Sequence, residues 1–218
     1  MIKLIIFDYD GLLVESEKLA FWAEEKILRR HGKQLTKDLF DKYLGYSVID
    51  TLKGYIEYYN LSVSIDDFYA QREAMINTLL KTNLILKPGA KILLDYLHKK
   101  RVIMVIGSSG ERSYIEIGLR ILDVEKYFKN ITCVSEVKRG KPNPDLFLEA
   151  LRKNNTKAEE AIVLEDAISG IKAAKAANIF CITVPPLDMG IQNHRIADLI
   201  VDNLEKVKDM SEKFHIFS

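Results

Sequence analysis

Two pairs of acidic residues stand at the ends of apolar runs in the sequence. Asp8 and Asp10 follow "KLII" in "FDYDG", and Glu165 and Asp166 end "AIVLED". Carboxylates bind hard divalent cations, and they also act as nucleophiles and as general acids or bases. Each pair alone could equally be an ordinary turn or a helix cap. Because residues i and i+2 of an extended strand point to the same side, the first two carboxylates can reach one small volume.

Two further positions carry groups that suit a phosphate. Ser108 and Ser109 in "VIGSSG" follow another apolar run, and a hydroxyl beside free backbone N–H groups forms a phosphate cradle. Lys141, held between a glycine and a proline, can offer a point charge to a phosphoryl oxygen. Alone, these would more simply be a turn and a solvated lysine. The four carboxylates outnumber this lysine, so a divalent cation is expected among them, and Mg²⁺ is the usual partner of phosphate chemistry.

Buried strands of a parallel sheet would bring these residues together. Six continuous apolar runs predict such strands, and a helical pattern follows almost every run after residue 88. Alternation of this kind predicts an α/β fold, a doubly wound parallel sheet with helices on both faces. The predicted strands are 3–8, 102–107, 130–135, 161–166, 179–184 and 197–201.

Residues 15–82 interrupt this alternation with helical patterns alone. We therefore predict an inserted α-helical cap domain at 15–82 and a core domain formed by 1–14 and 83–218. An insertion after the first strand and its acidic loop would lie over the carboxyl edge of the sheet, where open α/β folds bind ligands. The four predicted cap helices are 16–31, 36–44, 47–59 and 64–81.

Composition excludes some classes of partner. The 218 residues include 32 Lys and Arg against 31 Asp and Glu, so no net field favours nucleic acid or a membrane surface. No apolar run is long enough for a signal segment or a membrane span. Cys133 and Cys181 each lie in a β-like run and are expected to be buried free thiols. We expect a cytoplasmic protein, either a monomer or a weak homodimer.

Four motifs in this order resemble those of the haloacid dehalogenase (HAD) superfamily, and in particular its β-phosphoglucomutase-like branch with a helical cap. They are "FDYDGLLVESE", "VIGSS", "RGKPNPDLF" and "VLEDAISGIKAAKAANI", and the resemblance extends over essentially the whole chain. The resemblance implies a Rossmann-like core and a Mg²⁺-dependent phosphatase that acts on a small phosphorylated metabolite, a sugar phosphate or a nucleotide.

The resemblance also implies individual roles. Asp8 would be the nucleophile that forms an aspartyl-phosphate, and Asp10 the general acid and then the general base. Ser108, Ser109 and Lys141 would hold the transferring phosphoryl group. Mg²⁺ would be bound by the four acidic positions, which are Asp8, Asp10 through its backbone carbonyl, Glu165 directly or through water, and Asp166.

Two alternatives to hydrolysis stay open. A β-phosphoglucomutase-like mutase binds a second phosphate with a cap arginine, and Val48 occupies that position here. Leu44 stands at a neighbouring lysine position, and Ala20 stands at the position of a hinge histidine. Valine donates no hydrogen bond to a phosphate, so these departures favour hydrolysis. The other alternative is a phosphate-ester-binding protein without catalysis.

Overall fold

The computed structural model describes residues 2–43, 46–186 and 191–213. Contacts within the chain form two compact units, one made of Met1–Glu15 with Ile85–Ser218 and the other of Ser16–Leu84. The assignment of these units as a core domain and a cap domain stays a prediction.

The first unit is built on a parallel sheet of six strands in the order β3-β2-β1-β4-β5-β6. Phe7 at the end of β1 pairs with Ile106 on one side and with Leu164 on the other. The carboxyl ends of the three central strands therefore lie side by side. The strands are β1 (Leu4–Phe7), β2 (Ile103–Ser108), β3 (Phe128–Cys133), β4 (Ala161–Glu165), β5 (Phe180–Thr183) and β6 (Leu199–Ile200).

The α-helices of the second unit come first in the chain. They are α1 (Ser16–Arg30), α2 (Lys37–Lys42), α3 (Val48–Tyr59) and α4 (Ile65–Asn83). The first unit contains α5 (Ala90–Lys99), α6 (Arg112–Ile121), α7 (Asp145–Asn154), α8 (Ile168–Ala176) and α9 (Leu204–Lys213). Among the described residues, no helix combines the length and the apolar character needed to cross a bilayer.

Both faces of the sheet are buried. Phe147 of α7 and Ile171 of α8 share one core cluster with Ile6 and Val163 of the central strands. Residues that alternate with these along the strands, such as Phe7, point to the opposite face and are buried as well. Parallel strands buried on both sides between flanking helices form a doubly wound sheet, so the predicted fold class is confirmed.

All six predicted strands occur, with two differences at the edges of the sheet. β3 begins at Phe128, two residues before the predicted start, and its exposed Lys129 explains why an apolar pattern missed this beginning. β6 is limited to Leu199–Ile200 because the Ala197 N–H donates to His194 O in the turn before it and α9 begins at Leu204 shortly after it. Cys133 and Cys181 are buried free thiols, as expected.

A buried ion pair links α1 and α4 of the second unit. Arg72 Nε donates to Glu24 Oε1 at 3.1 Å, and Tyr55 of α3 donates its hydroxyl to Glu24 Oε2 at 3.0 Å. Burial raises the pKa of Glu24, and the guanidinium and the hydroxyl oppose that rise. The three side chains thus connect three helices through one carboxylate.

Arg72→Met should destabilise the protein by about 3 to 5 kcal/mol, because it leaves the Glu24 carboxylate buried without its cation. The matched control is Arg29→Met, which removes an exposed pair with Glu25 and should cost less than about 1 kcal/mol. Arg72 holds the pKa of Glu24 down, so its removal raises that pKa further and the folded variant binds more protons than the folded wild type. The loss should therefore be smaller at about pH 5 than at about pH 8. Urea unfolding at both pH values checks this, and an equal loss in both variants would contradict it.

Candidate active site

Asp8 follows β1 directly and lies beside the end of β4. Its backbone N–H donates to Leu164 O at 3.0 Å, and the residue is 7% exposed. The chain then turns, and Gly11 adopts a left-handed φ of 82°. A Cβ atom at Gly11 would lie 2.0 Å from Asp166 Oδ2, so glycine is required here both for the backbone angle and for the close approach of that carboxylate.

Lys141 reaches the end of the sheet and lies between two carboxylates. Its Nζ atom is 2.5 Å from Asp8 Oδ1 and 2.5 Å from Glu165 Oε1. Burial disfavours the ammonium, yet the attraction of both carboxylates raises the pKa of Lys141 above its ordinary value. The side chains of Lys141, Asp8 and Glu165 are only 5%, 9% and 1% exposed, so this contact is largely shielded from water.

Glu165 is fixed through both of its oxygens. Oε1 bonds Lys141, and Oε2 accepts from the backbone N–H groups of Asp166 and Ala167, each at 3.0 Å. A Cβ atom at Gly170 of α8 would lie 1.7 Å from Oε1, so only glycine leaves room for this carboxylate. Glu165 therefore anchors the lysine and the turn that begins α8.

The end of the sheet also holds a cluster that could bind a metal ion. Carboxylate oxygens of Asp8, Glu165 and Asp166 all lie within 4.8 Å of one another, and all three residues are buried. Burial raises the pKa of Asp8 to about 8, repulsion from Glu165 and Asp10 adds to the rise, and Lys141 opposes it. A bound cation would relieve this repulsion, and oxygen ligands suit a hard divalent ion. The residues present therefore fit a divalent cation.

A second group of side chains surrounds Gly110, just after β2. The Gly110 N–H donates to Ser108 Oγ at 2.9 Å, and the hydroxyl of Tyr114 donates to Asp10 Oδ1 at 2.8 Å. A Cβ atom at Gly110 would lie 3.3 Å from Ser108 Oγ and 3.4 Å from Asp10 Oδ2. The predicted acid and the predicted phosphate-binding serine thus approach the same glycine.

The structure brings most of the predicted residues to the carboxyl ends of the central strands. Three carboxylates and Lys141 form the first group, and Asp10 with Ser108 forms the second. The Asp10 side chain is not part of the acidic cluster, and its predicted metal contact through the backbone carbonyl stays a prediction. Ser109 is exposed and has no side-chain hydrogen bond within the described part of the chain.

Three contributors were not identified from the sequence: Tyr114, Gly170 and His194. His194 is 1% exposed, and its Nε2 lies 2.8 Å from the carbonyl oxygen of Asp166. A carbonyl only accepts, so Nε2 is the donor and the ring supports the turn that carries this carboxylate. Residues 166 and 194 share no sequence motif or regular spacing, so this contact could not be predicted from the sequence. Tyr114, by contrast, could have been found, because it lies in the first turn of the helix that follows the serines.

Known proteins resemble this chain over most of its length. The family model described as haloacid dehalogenase-like hydrolase matches residues 5–184. A phosphorylated carbohydrates phosphatase of Thermotoga maritima is 32% identical over 181 residues, which are 81% of this chain and 82% of that protein. A (DL)-glycerol-3-phosphatase of Arabidopsis thaliana is 32% identical over 214 residues, 94% of this chain and 88% of the other.

A solved structure shares the fold of this chain. It belongs to a Thermotoga maritima protein provisionally named a β-phosphoglucomutase, with a TM-score of 0.87 and 28% identity over 97% of this chain and 99% of that one. The names of the relatives confirm the predicted enzyme class, a phosphoric monoester hydrolase. With most of its length matched by the family model, the chain belongs to the haloacid dehalogenase-like hydrolases.

Proposed function

We propose that this protein is a Mg²⁺-dependent phosphatase that hydrolyses a small phosphate monoester through an aspartyl-phosphate on Asp8. The observation that carries the proposal is the buried contact of Lys141 with Asp8 and Glu165, with Asp166 within 4.8 Å. Transfer of a phosphoryl group needs a nucleophile and a positive charge beside the phosphoryl oxygens. The Asp8 carboxylate and the Lys141 ammonium, held together out of water, suit these two needs.

The first half of the reaction would transfer the phosphoryl group to Asp8. A carboxylate oxygen of Asp8 attacks phosphorus, the bond to the ester oxygen breaks, and Asp10 gives that oxygen a proton. Lys141 and Ser108, with Ser109 beside it, hold the phosphoryl oxygens. In the second half, Asp10 takes a proton from water, the water oxygen bonds to phosphorus, and Asp8 leaves as a carboxylate.

A metal ion would be held by Asp8 and Asp166 through their side chains. The family resemblance adds the backbone carbonyl of Asp10, and Glu165 directly or through water. Because both oxygens of Glu165 already have hydrogen-bond donors, its contribution through water is favoured. When bound, Mg²⁺ supplies positive charge that stabilises the transferring phosphoryl group.

The names of the relatives bear on the class of substrate. Two specify phosphorylated carbohydrates and glycerol 3-phosphate, and a third, 31% identical over 83% of this chain, specifies pseudouridine 5'-phosphate, so a sugar or polyol phosphate and a nucleotide both stay candidate substrates. Such substrates are small metabolites, which agrees with the expectation that the protein acts in the cytoplasm without nucleic acid or membrane as a partner.

A sugar-phosphate mutase is the second candidate, because of the structural neighbour provisionally named a β-phosphoglucomutase. Against it, Val48 begins α3, and its side chain offers no hydrogen bond to a second phosphate. Ala20 lies in α1 where the family pattern has a histidine. Leu44, at the expected lysine position, lies outside the described residues. These positions favour hydrolysis.

Phosphate release from a panel of sugar, polyol, nucleoside and aryl monophosphates tests the proposal. We expect release in the presence of Mg²⁺ and a return to background with a chelator, because the buried carboxylates repel each other and the substrate without a cation. The panel should also be assayed for isomerisation with a sugar bisphosphate. Isomerisation without release would favour the mutase, and tight binding with neither reaction would favour a non-catalytic binding protein.

A further inference from the structure

We propose that Tyr114 is a positioning residue for proton transfer by Asp10, an inference that rests on the proposed phosphatase function. Tyr114 lies in the first turn of α6, and its hydroxyl donates to Asp10 Oδ1 at 2.8 Å. The carboxylate of Asp10 only accepts, so the phenol supplies the proton of this hydrogen bond. None of the roles described above includes this tyrosine.

The tyrosine ring is held by the same turn that carries Asp10. It meets the ring of Tyr9 edge to face, with centroids 5.6 Å apart and planes at 88°. Tyr9 is fully buried, and its carbonyl oxygen accepts from the backbone N–H groups of Leu13 and Val14. A tyrosine has few rotatable bonds, so a ring fixed in this way places its hydroxyl with little freedom.

The hydrogen bond distinguishes the two oxygens of Asp10. Oδ1 accepts from Tyr114, and we place the proton that the acid transfers on Oδ2 because of the direction in which that oxygen points. Oδ2 faces Gly110, and a Cβ atom there would be 3.4 Å from it and 3.3 Å from Ser108 Oγ. The oxygen that transfers the proton is therefore directed toward the proposed phosphate-binding turn.

This arrangement assigns a definite path to the proton. As the bond between phosphorus and the ester oxygen breaks, the proton moves from Asp10 Oδ2 to the departing oxygen. Tyr114 keeps its own proton throughout, and its bond to Oδ1 strengthens because the carboxylate is now charged. In the second half-reaction a proton returns from water to the same Oδ2. Tyr114 thus neither gains nor loses an atom.

The test compares two substrates in Tyr114→Phe. Glycerol phosphate has an alcohol leaving group that needs a proton, whereas p-nitrophenol leaves readily as its anion. We expect kcat/KM for glycerol phosphate to fall on the order of tenfold, and kcat/KM for p-nitrophenyl phosphate to change less than about threefold. The ratio of the two values is independent of the fraction of folded enzyme. The matched control, Tyr96→Phe on α5, removes a hydroxyl outside the site and should leave the ratio unchanged.

A double variant checks that the tyrosine acts through Asp10. In the Asp10→Asn background, Tyr114→Phe should change the ratio no further. An equal loss on both substrates, or no loss on either, would overturn the inference while the phosphatase stands. If the wild-type protein with Mg²⁺ hydrolyses neither substrate, the proposed function fails and the inference fails with it.

Discussion

Asp8→Asn should abolish phosphate release, with a loss in kcat on the order of 10⁴-fold or more. A carboxamide is a poor nucleophile and forms no stable phosphoryl intermediate, so the two-step route through residue 8 is closed. The substitution keeps the size of the side chain but removes the charge that Lys141 contacts at 2.5 Å. Initial rates with Mg²⁺ and the best substrate of the panel measure the effect.

The matched control for this variant is Asp123→Asn in the same unit. Asp123 is 89% exposed and pairs only with Lys126 among the described residues, so its loss should leave the rate unchanged. If Asp8→Asn retained a rate within about tenfold of wild type, Asp8 would not be the nucleophile.

Lys141→Met should have the second largest effect, and it should act on both activity and stability. The variant lacks the positive charge that offsets the charge of the phosphoryl oxygens, which should lower kcat on the order of 10³-fold. The substitution also leaves Asp8 and Glu165 buried without their shared cation, which should cost about 3 to 5 kcal/mol in the free energy of unfolding. Lys141→Arg should fail to restore the rate, because a planar fork cannot reproduce the compact contact of an ammonium with both carboxylates.

The double variant Lys141→Met with Glu165→Gln separates the two effects. Removing one of the two buried carboxylates should recover part of the stability, since an unpaired buried charge is the main cost. It should recover none of the rate, because the countercharge is still missing. Urea unfolding and initial rates on the same samples measure both quantities. Recovery of the rate would show that Lys141 serves only to neutralise Glu165.

Sequence patterns predicted the fold and most of the site because both depend on local features. Continuous apolar runs give buried parallel strands, and polar residues directly after them must meet at one edge of the sheet. Asp8, Glu165 and Asp166 were found in this way. The length of the edge strand β6 was overestimated, because an apolar run does not show where regular pairing stops: the ladder with β5 covers Leu199–Ile200, and the flanking Asp198 and Val201 add one backbone hydrogen bond each.

Contacts between distant segments were not predictable from local patterns. The histidine ring that supports Asp166 is 28 residues away in the chain, and its role depends on where a short helical segment after β5 passes. The need for glycine at position 170 arises because the carboxylate of Glu165, the last residue of β4, lies against the first turn of α8. The hydrogen bonds to both oxygens of Glu165 likewise depend on how distant segments pack, and they favour a role for this residue in support of Lys141.

Detection of a phosphoryl group on Asp8 during turnover tests the central claim most directly. The enzyme would be mixed with Mg²⁺ and substrate, quenched in acid within the first turnover, digested, and its peptides mapped by mass spectrometry. We predict the added mass of one phosphoryl group on the peptide that contains Asp8, and its absence when a chelator replaces Mg²⁺. Rapid phosphate release with no such adduct at any quench time, or an adduct on another residue, would contradict the account.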